Sequence, residues 1–246
     1  MKIGIIGAGN IGSSVARNLA GAGHEVRVAD AQGRDAIREK VADAGATAVE
    51  LDDVIKDVDA VVISIPTLAI PELAGLLQGV SPDATIIDTG NYYPFRDGSV
   101  EELEAGKPES IWVSEQIGRP VIKAFNAALA HTQAARALPK GSAGRIAMPV
   151  AGDDARGKAI AIQLVDDAGF DPVDAGSLAE SWRQQPGTPA YCTELNREEL
   201  QNALTLANKT EAPKYREALI KEVFAKADSL THDDIIALNR AGTAPA

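Results

Sequence analysis

A short β-branched run, Lys2–Ile6, leads directly into Gly7-Ala8-Gly9-Asn10-Ile11-Gly12, and a helix-forming stretch, Asn10–Ala22, follows with no spacer. A strand that turns on glycines into a helix has few ways to fold. Gly7 permits the tight turn, Gly9 carries no Cβ to block an approaching group, and Gly12 lets the helix lie close to the strand. The GxGxxG spacing alone is a weak signal. Here a strand precedes it, a helix follows it, and Asp30 ends the next strand, Glu25–Ala29, about twenty residues later. Together these form the pattern of a dinucleotide-binding unit, with the diphosphate at the helix N-terminus and the Asp30 carboxylate on the adenosine ribose hydroxyls.

Asp30 also bears on the choice of cofactor. At roughly 4 Å a carboxylate repels a 2′-phosphate by about 1 kcal/mol in water, and by about 4 kcal/mol at an effective dielectric near 20. That favours NAD. The opposing arrangement has Arg34 swing in to hold the phosphate of NADP.

Strands and helices alternate through the first two thirds of the chain. Strands are expected at Ala46–Glu50, Ala60–Ile65, Thr85–Asp88 and Val121–Phe125. Helices are expected at Arg34–Ala44, Leu51–Asp57, Leu68–Leu77 and Ala127–Leu138, with a loop-rich stretch at Tyr92–Gly106. Ala60–Ile65 is apolar at nearly every position, as in a parallel strand buried on both faces. The alternation predicts an α/β fold with a Rossmann-type, doubly wound, mostly parallel sheet. A strand–helix–strand unit follows at Arg145–Val150, Asp154–Ala168 and Asp171–Asp174, then the irregular QPGTPAY of Gln185–Tyr191 and a charged helical tail. In the tail Leu200, Leu204 and Ala207 share one face, and Leu219, Val223 and Phe224 share another. The expected organisation is a binding domain at 1–142, a small α/β unit at 143–192 and a helical tail at 193–246, its last residues, Ala241–Ala246, frayed.

Composition excludes several functions. Lys and Arg number 24 against 35 Asp and Glu, a net charge of −11, which repels a nucleic-acid backbone. One cysteine, Cys192, permits no internal disulfide, and three scattered histidines have no metal-ligand spacing. No apolar run approaches the roughly 20 residues of a membrane span. A cytoplasmic protein without membrane or nucleic-acid partners is expected.

Several further residues stand where ligands of open α/β sheets bind, at the carboxyl ends of strands. Ser64-Ile65-Pro66 and Asp88-Thr89-Gly90-Asn91 are two such segments; Ser64 and Asn91 offer a hydroxyl and an amide to a nicotinamide ribose or carboxamide, or serve as turn formers. Lys123-Ala124-Phe125-Asn126 closes the next strand. Phe125 can pack on a flat ring or belong to the core, and Lys123 can act as an acid–base group or satisfy a carboxylate. Asp153 and Asp154 read as a helix cap. His24 stands in a turn far from the crevice, His131 lies on the helix after Phe125 within reach of it, and His232 opens a helix. Cys192 has no partner base in the sequence.

Taken in order, GAGNIG at Gly7–Gly12, SIP at Ser64–Pro66, KAFN at Lys123–Asn126, AGDD at Ala151–Asp154 and GFDPVDAGSL at Gly169–Leu178 resemble one family. The chain is similar over about residues 1–190 to the NADP oxidoreductases dependent on coenzyme F-420, a deazaflavin, and to the oxidoreductase domain of the six-transmembrane metalloreductases. The resemblance implies hydride transfer between a nicotinamide and a flavin or deazaflavin ring in the adjacent crevice, and a homodimer with the tail helices as its contact. It places Ser64, Ile65 and Pro66 beside the nicotinamide, and Ala124, Phe125 and Asn126 along the second ring. Such a transfer needs two rings held close and no acid–base pair. The chain departs from the family at Asp30-Ala31-Gln32, where relatives carry Ser-Arg to grip the 2′-phosphate. Two alternatives remain: a dehydrogenase or imine reductase acting on a small metabolite, and a sensor that binds NAD(P) without turnover.

Overall fold

The computed structural model describes residues 1–226 and 229–243. Its centre is a six-stranded parallel sheet of β1 (Lys2–Ile6), β2 (Glu25–Ala29), β3 (Thr47–Ala48), β4 (Ala60–Ile63), β5 (Thr85–Asp88) and β6 (Ile122–Lys123). The spatial order is β3-β2-β1-β4-β5-β6. The order in which strands are added reverses between β1 and β4, which opens a crevice there, as in a doubly wound Rossmann sheet. The fold class expected from the alternating pattern is the one observed.

Register explains why both faces are buried. Ile3 and Ile5 pair with Val26 and Val28 on one side and with Ala60 and Val62 on the other. This layer packs under α1 (Asn10–Gly21), α2 (Arg34–Asp43) and α8 (Ala155–Asp167). The alternate residues Val61, Ile63 and Ile86 join Leu77, Trp112 and Ile117 on the opposite face. That second layer is built by α3 (Ala74–Leu77), α5 (Glu101–Glu104) and α6 (Glu109–Ile117), while α4 (Pro94–Asp97) lies outside it.

Several elements differ from expectation for local reasons. Leu51–Asp53 is a single 3-10 turn rather than a helix to Asp57, and Asp57 takes a left-handed φ of 50°. Thr67–Leu73 is 3-10, with Pro71 lacking the N–H that an α-helix would need there. β6 stops at Lys123 because Phe125 adopts a left-handed φ of 61°, which no strand can carry. The stretch read as loop holds α4 and α5, and α6 was not anticipated; it forms because Trp112, Val113 and Ile117 have a core to fill. α7 (Ala130–Ala135) is half the length expected.

β7 (Ala147–Val150) and β8 (Asp171–Asp174) form a separate parallel pair with α8 as their crossover. Lys123 N–H donates to Ala151 O at 2.8 Å and Ala151 N–H donates to Lys123 O at 3.0 Å, so this pair is tied to the edge of the main sheet. Asp154 caps α8, its carboxylate accepting from Gly157 N at 2.7 Å, while Asp153 accepts from Leu178 N at 3.0 Å.

The tail comprises α9 (Arg197–Leu206), α10 (Ala212–Ala225) and α11 (His232–Gly242). Capping boxes at Asn196/Glu199 and Thr231/Asp234 start α9 and α11. Leu200 and Leu204 cover Ala147 and Val173 of the small sheet. Leu219 is buried, but Phe224 is 60% exposed, so the face predicted for Leu219, Val223 and Phe224 does not close over a core. Of the end expected to fray, Ala241 and Gly242 belong to α11, and residues 244–246 lie outside the described residues. No helix among the described residues is long and apolar enough to cross a membrane.

Candidate functional site

The glycine turn divides its labour by geometry. Gly7 has φ 108° and donates to Ala29 O at 2.8 Å; a Cβ there would lie 2.1 Å from Ser64 O. A Cβ at Gly12 would lie 2.0 Å from Gly7 O, so this residue sets the close approach of α1 to the turn. At Gly9 an added Cβ meets no atom within 4 Å. Gly9 is also the N-cap of α1, with no side chain capping the helix and no acid in its first turn. Its first amides therefore have no intrahelical acceptor and stand at the positive end of the dipole. Bare amides beside open space fit a diphosphate.

Asp30 holds this turn in place. Its Oδ2 accepts from Ala8 N at 2.8 Å and its Oδ1 from Gln32 N at 3.0 Å, while Lys40 Nζ donates to Ala8 O at 2.5 Å. The Ala8 peptide is thus clamped on both sides. Arg34 Nε lies 3.4 Å from Asp35 and 3.5 Å from Glu50, and Arg38 also pairs with Asp35. The cations after β2 already share carboxylates.

A cavity of about 390 Å³ opens at the carboxyl ends of the central strands. It brings together Gly9, Asn10 and Ile11, then Ser64, Ile65 and Pro66, then Asn91, and finally Phe125 and Asn126. Gly7, Ala8 and Gly12 shape the turn from behind, and Asp30 stands on its other side. Ala124 does not reach the cavity: it is fully buried in the core with Ile122, which corrects the expectation that it lines a second ring site.

The two readings of Phe125 prove compatible, since the ring is core and also walls the cavity. Gln133 Nε2 donates to its carbonyl at 2.7 Å and holds the left-handed backbone. Asn91 lines the cavity and its amide is already engaged with a neighbour. Its Nδ2 donates to Asn126 O and its Oδ1 accepts from Asn126 Nδ2, both at 3.0 Å. Gln184 Nε2 donates to Asn126 Oδ1 at 2.8 Å. These amides are spent on each other and stiffen the cavity floor.

Lys123 is wholly buried, with Nζ 2.8 Å from Gly90 O, 3.2 Å from Glu109 Oε2 and 3.5 Å from Asp88 Oδ2. Burial disfavours its charge, but the Asp88 and Glu109 carboxylates outweigh burial and raise its pKa. A lysine so held stays protonated and supports the Gly90 turn, so the carboxylate-satisfying reading is the one the geometry supports.

Tyr93, Arg96, Leu129 and Tyr191 also line the cavity, and none was singled out from the sequence. The Tyr93 and Tyr191 hydroxyls are hydrogen-bonded at 2.6 Å, and burial pushes both phenols upward, so both stay neutral. Their signal in the sequence was faint: each is an aromatic in a Pro-bearing loop after a strand or helix. His131 is also placed differently from expectation. It does not line the cavity; its ring lies against that of His232 at a tilt of 48°, centroids 4.5 Å apart. His24 bridges the N-terminus and Asp167, at 3.1 and 3.0 Å. Burial pushes the Cys192 thiol up to about 12, which leaves it unreactive.

Residues 2–92 match the family described as NADP oxidoreductase coenzyme F420-dependent. The Escherichia coli (strain K12) protein YjhV is 45% identical over 103 residues, 42% of this chain and 75% of that protein. Among solved structures, the hypothetical protein SMa0349 from Sinorhizobium meliloti is similar at 29% identity and a TM-score of 0.68, over 79% of this chain and 95% of that one. A candidate F420-dependent NADP reductase from an Arthrobacter species shares the fold at 23% identity and a TM-score of 0.57, over 72% of this chain and 86% of that one. A bare helix N-terminus behind a glycine turn, a crevice at the sheet's switch point and these likenesses converge: the chain is an NAD(P)-dependent oxidoreductase of the coenzyme F420-dependent NADP oxidoreductase family.

Proposed function

We propose that the protein exchanges hydride between NAD and a flat conjugated acceptor of flavin or deazaflavin type. The observation that carries this reading is the crevice itself. One cavity of about 390 Å³ is bordered by the start of α1, by Ser64–Pro66 and by Phe125, Tyr93 and Tyr191, which sets a nicotinamide end beside an apolar wall. When bound, the nicotinamide supplies the two-electron chemistry. The chain's part is to hold and exclude. The α1 N-terminus takes the diphosphate, Ile65 and Pro66 form an apolar wall, and the Asn91–Asn126–Gln184 floor resists collapse. The neutral Tyr93–Tyr191 pair can donate a hydrogen bond to the acceptor.

NAD over NADP rests on Asp30 and on the pairing of Arg34 with Asp35 and Glu50. Asp30→Ser with Gln32→Arg removes the repulsion and adds a phosphate fork, and should shift the NADPH/NADH affinity ratio upward at least about tenfold. A wild type that already prefers NADPH would refute the NAD assignment. For the acceptor, purified protein is mixed with NADH and a panel of oxidised flavins, deazaflavin, oxo acids and cyclic imines. Loss of nicotinamide absorbance with the flat-ring compounds is expected. The tyrosine pair favours one second reading, reduction of a small carbonyl or imine, and turnover confined to those compounds would establish it instead.

A further inference from the structure

A second cavity, about 250 Å³, lies beyond the Tyr93–Tyr191 pair between α10, α11 and the Pro186-Gly187 loop. It shares Tyr93, Leu129 and Tyr191 with the crevice, so the two spaces have a common wall. Its other sides are aliphatic and aromatic: Leu219, Ile220, Val223 and the Phe95–Phe224 pair, whose rings meet edge to face at 5.2 Å. One charged side chain breaks this lining. Arg216 reaches in from α10, and its Nε is buried without a hydrogen-bond partner. Among the described residues its one ion-pair neighbour is the exposed Glu217, at 3.7 Å, too far for a hydrogen bond.

The Arg216 guanidinium lies over the Tyr92 ring, 5.9 Å from its centroid, which leaves the buried Nε–H without an acceptor, a costly state for a polar group out of water. The nearby Glu109 does not serve, because its oxygens accept from Tyr92 N at 3.0 Å and Lys123 Nζ at 3.2 Å. Behind Arg216 a smaller hollow of about 60 Å³ is lined by Gln185, whose Nε2 is likewise buried without a partner. One idle N–H donor, Arg216 Nε, thus borders the apolar chamber, and a second, on Gln185, borders the hollow behind it. Planar guanidinium donors of this kind match a carboxylate or phosphate.

We infer that this chamber is a binding site for an organic anion with a flat apolar body, its acid group held by Arg216 and its body reaching toward the crevice past Tyr93 and Tyr191. The inference rests on the proposed acceptor reading only in taking the chamber as the acceptor's side of the crevice. It deepens that reading by assigning the acceptor a negative charge.

The test separates charge from shape and does not depend on turnover. Binding of naphthalene-2-carboxylate and of naphthalene-2-carboxamide is measured by calorimetry on the full chain. The carboxylate should bind at least about tenfold more tightly, about 1.4 kcal/mol. Arg216→Met should erase that ratio while leaving carboxamide binding and the melting temperature in place. Arg216→Lys should retain part of it, and Val223→Trp, which fills the chamber, should abolish binding of both. Equal affinity for the two probes in the wild type, or a preference that survives Arg216→Met, would overturn the site. So would a dimer that forms with concentration and shuts both probes out, since the chamber would then be a contact between copies. Flavin turnover without a charge preference sinks only the anion site, whereas a charge preference without flavin turnover sinks only the acceptor reading.

Discussion

A methyl group added at Gly9 meets nothing within 4 Å, whereas one added at Gly12 would lie 2.0 Å from a backbone oxygen. The two substitutions should therefore fail differently. Gly9→Val should leave thermal stability nearly unchanged and weaken NADH binding at least about tenfold by occupying the diphosphate's place. Gly12→Ala should destabilise the fold by roughly 1–3 kcal/mol, because the neighbour in its way is backbone. Calorimetric binding set beside thermal unfolding distinguishes them. The glycine turn and Asp30 were legible in sequence because their roles are local: spacing along the chain determines which amide is bare. The fates of Asn91 and Asn126 were not, since each amide's partner comes from a different strand end. Phe125 lay between these cases. An aromatic at a strand end was visible, but its left-handed backbone is sustained by Gln133 and by core packing that no local pattern announces.

Among elements, α11 shows how the tail is fastened. Glu194 accepts from Thr132 Oγ1 at 2.6 Å, from His232 Nε2 at 2.8 Å and from Arg136 Nη1 at 2.6 Å, and Arg136 also pairs with Asp233. Burial pushes the Glu194 carboxyl up, but these donors and the Arg136 charge outweigh it and hold its pKa below the usual range. A depressed carboxyl contributes stability that is fully present above the unfolded value of about 4.3 and is lost as pH falls through the folded one. Acidification should thus loosen α11 before the sheet, and Glu194→Gln should flatten that acid limb. Thermal melts from pH 6 to pH 3, with proteolysis of the tail as a second readout, check this; an unchanged acid limb in the variant would assign the loss elsewhere. The start of α11 at His232 was readable from the residues around it, whereas the Asn196 cap of α9 was not picked out. The partner surfaces of those helices were not readable. Phe224 shows why, because an apolar stripe states that something should cover it without saying what.

For the molecule as a whole, the QPGTPAY loop decides how the tail meets the body. Gly187 has φ 86°, and a Cβ there would stand 2.0 Å from Ala212 O and 2.8 Å from Arg216 N at the start of α10. Gly187→Val should lift α10 off this loop, so that amide exchange across α10 rises while the six-stranded sheet stays protected. NADH affinity should be kept, since the glycine turn does not touch this loop. Equal protection of α10 in the variant and wild type would show that the tail is held by other contacts. The parallel doubly wound sheet, the bare glycine turn and the acidic charge balance could all be derived from the chain's order of residues, because hydrophobic period, glycine spacing and charge act over short stretches. The shape of the crevice, the buried Lys123 strut, the Tyr93–Tyr191 pair and the chamber around Arg216 could not. Each joins segments that are remote along the chain, and only packing of the sheet, the small β7–β8 unit and the tail helices brings those groups within a hydrogen bond of one another.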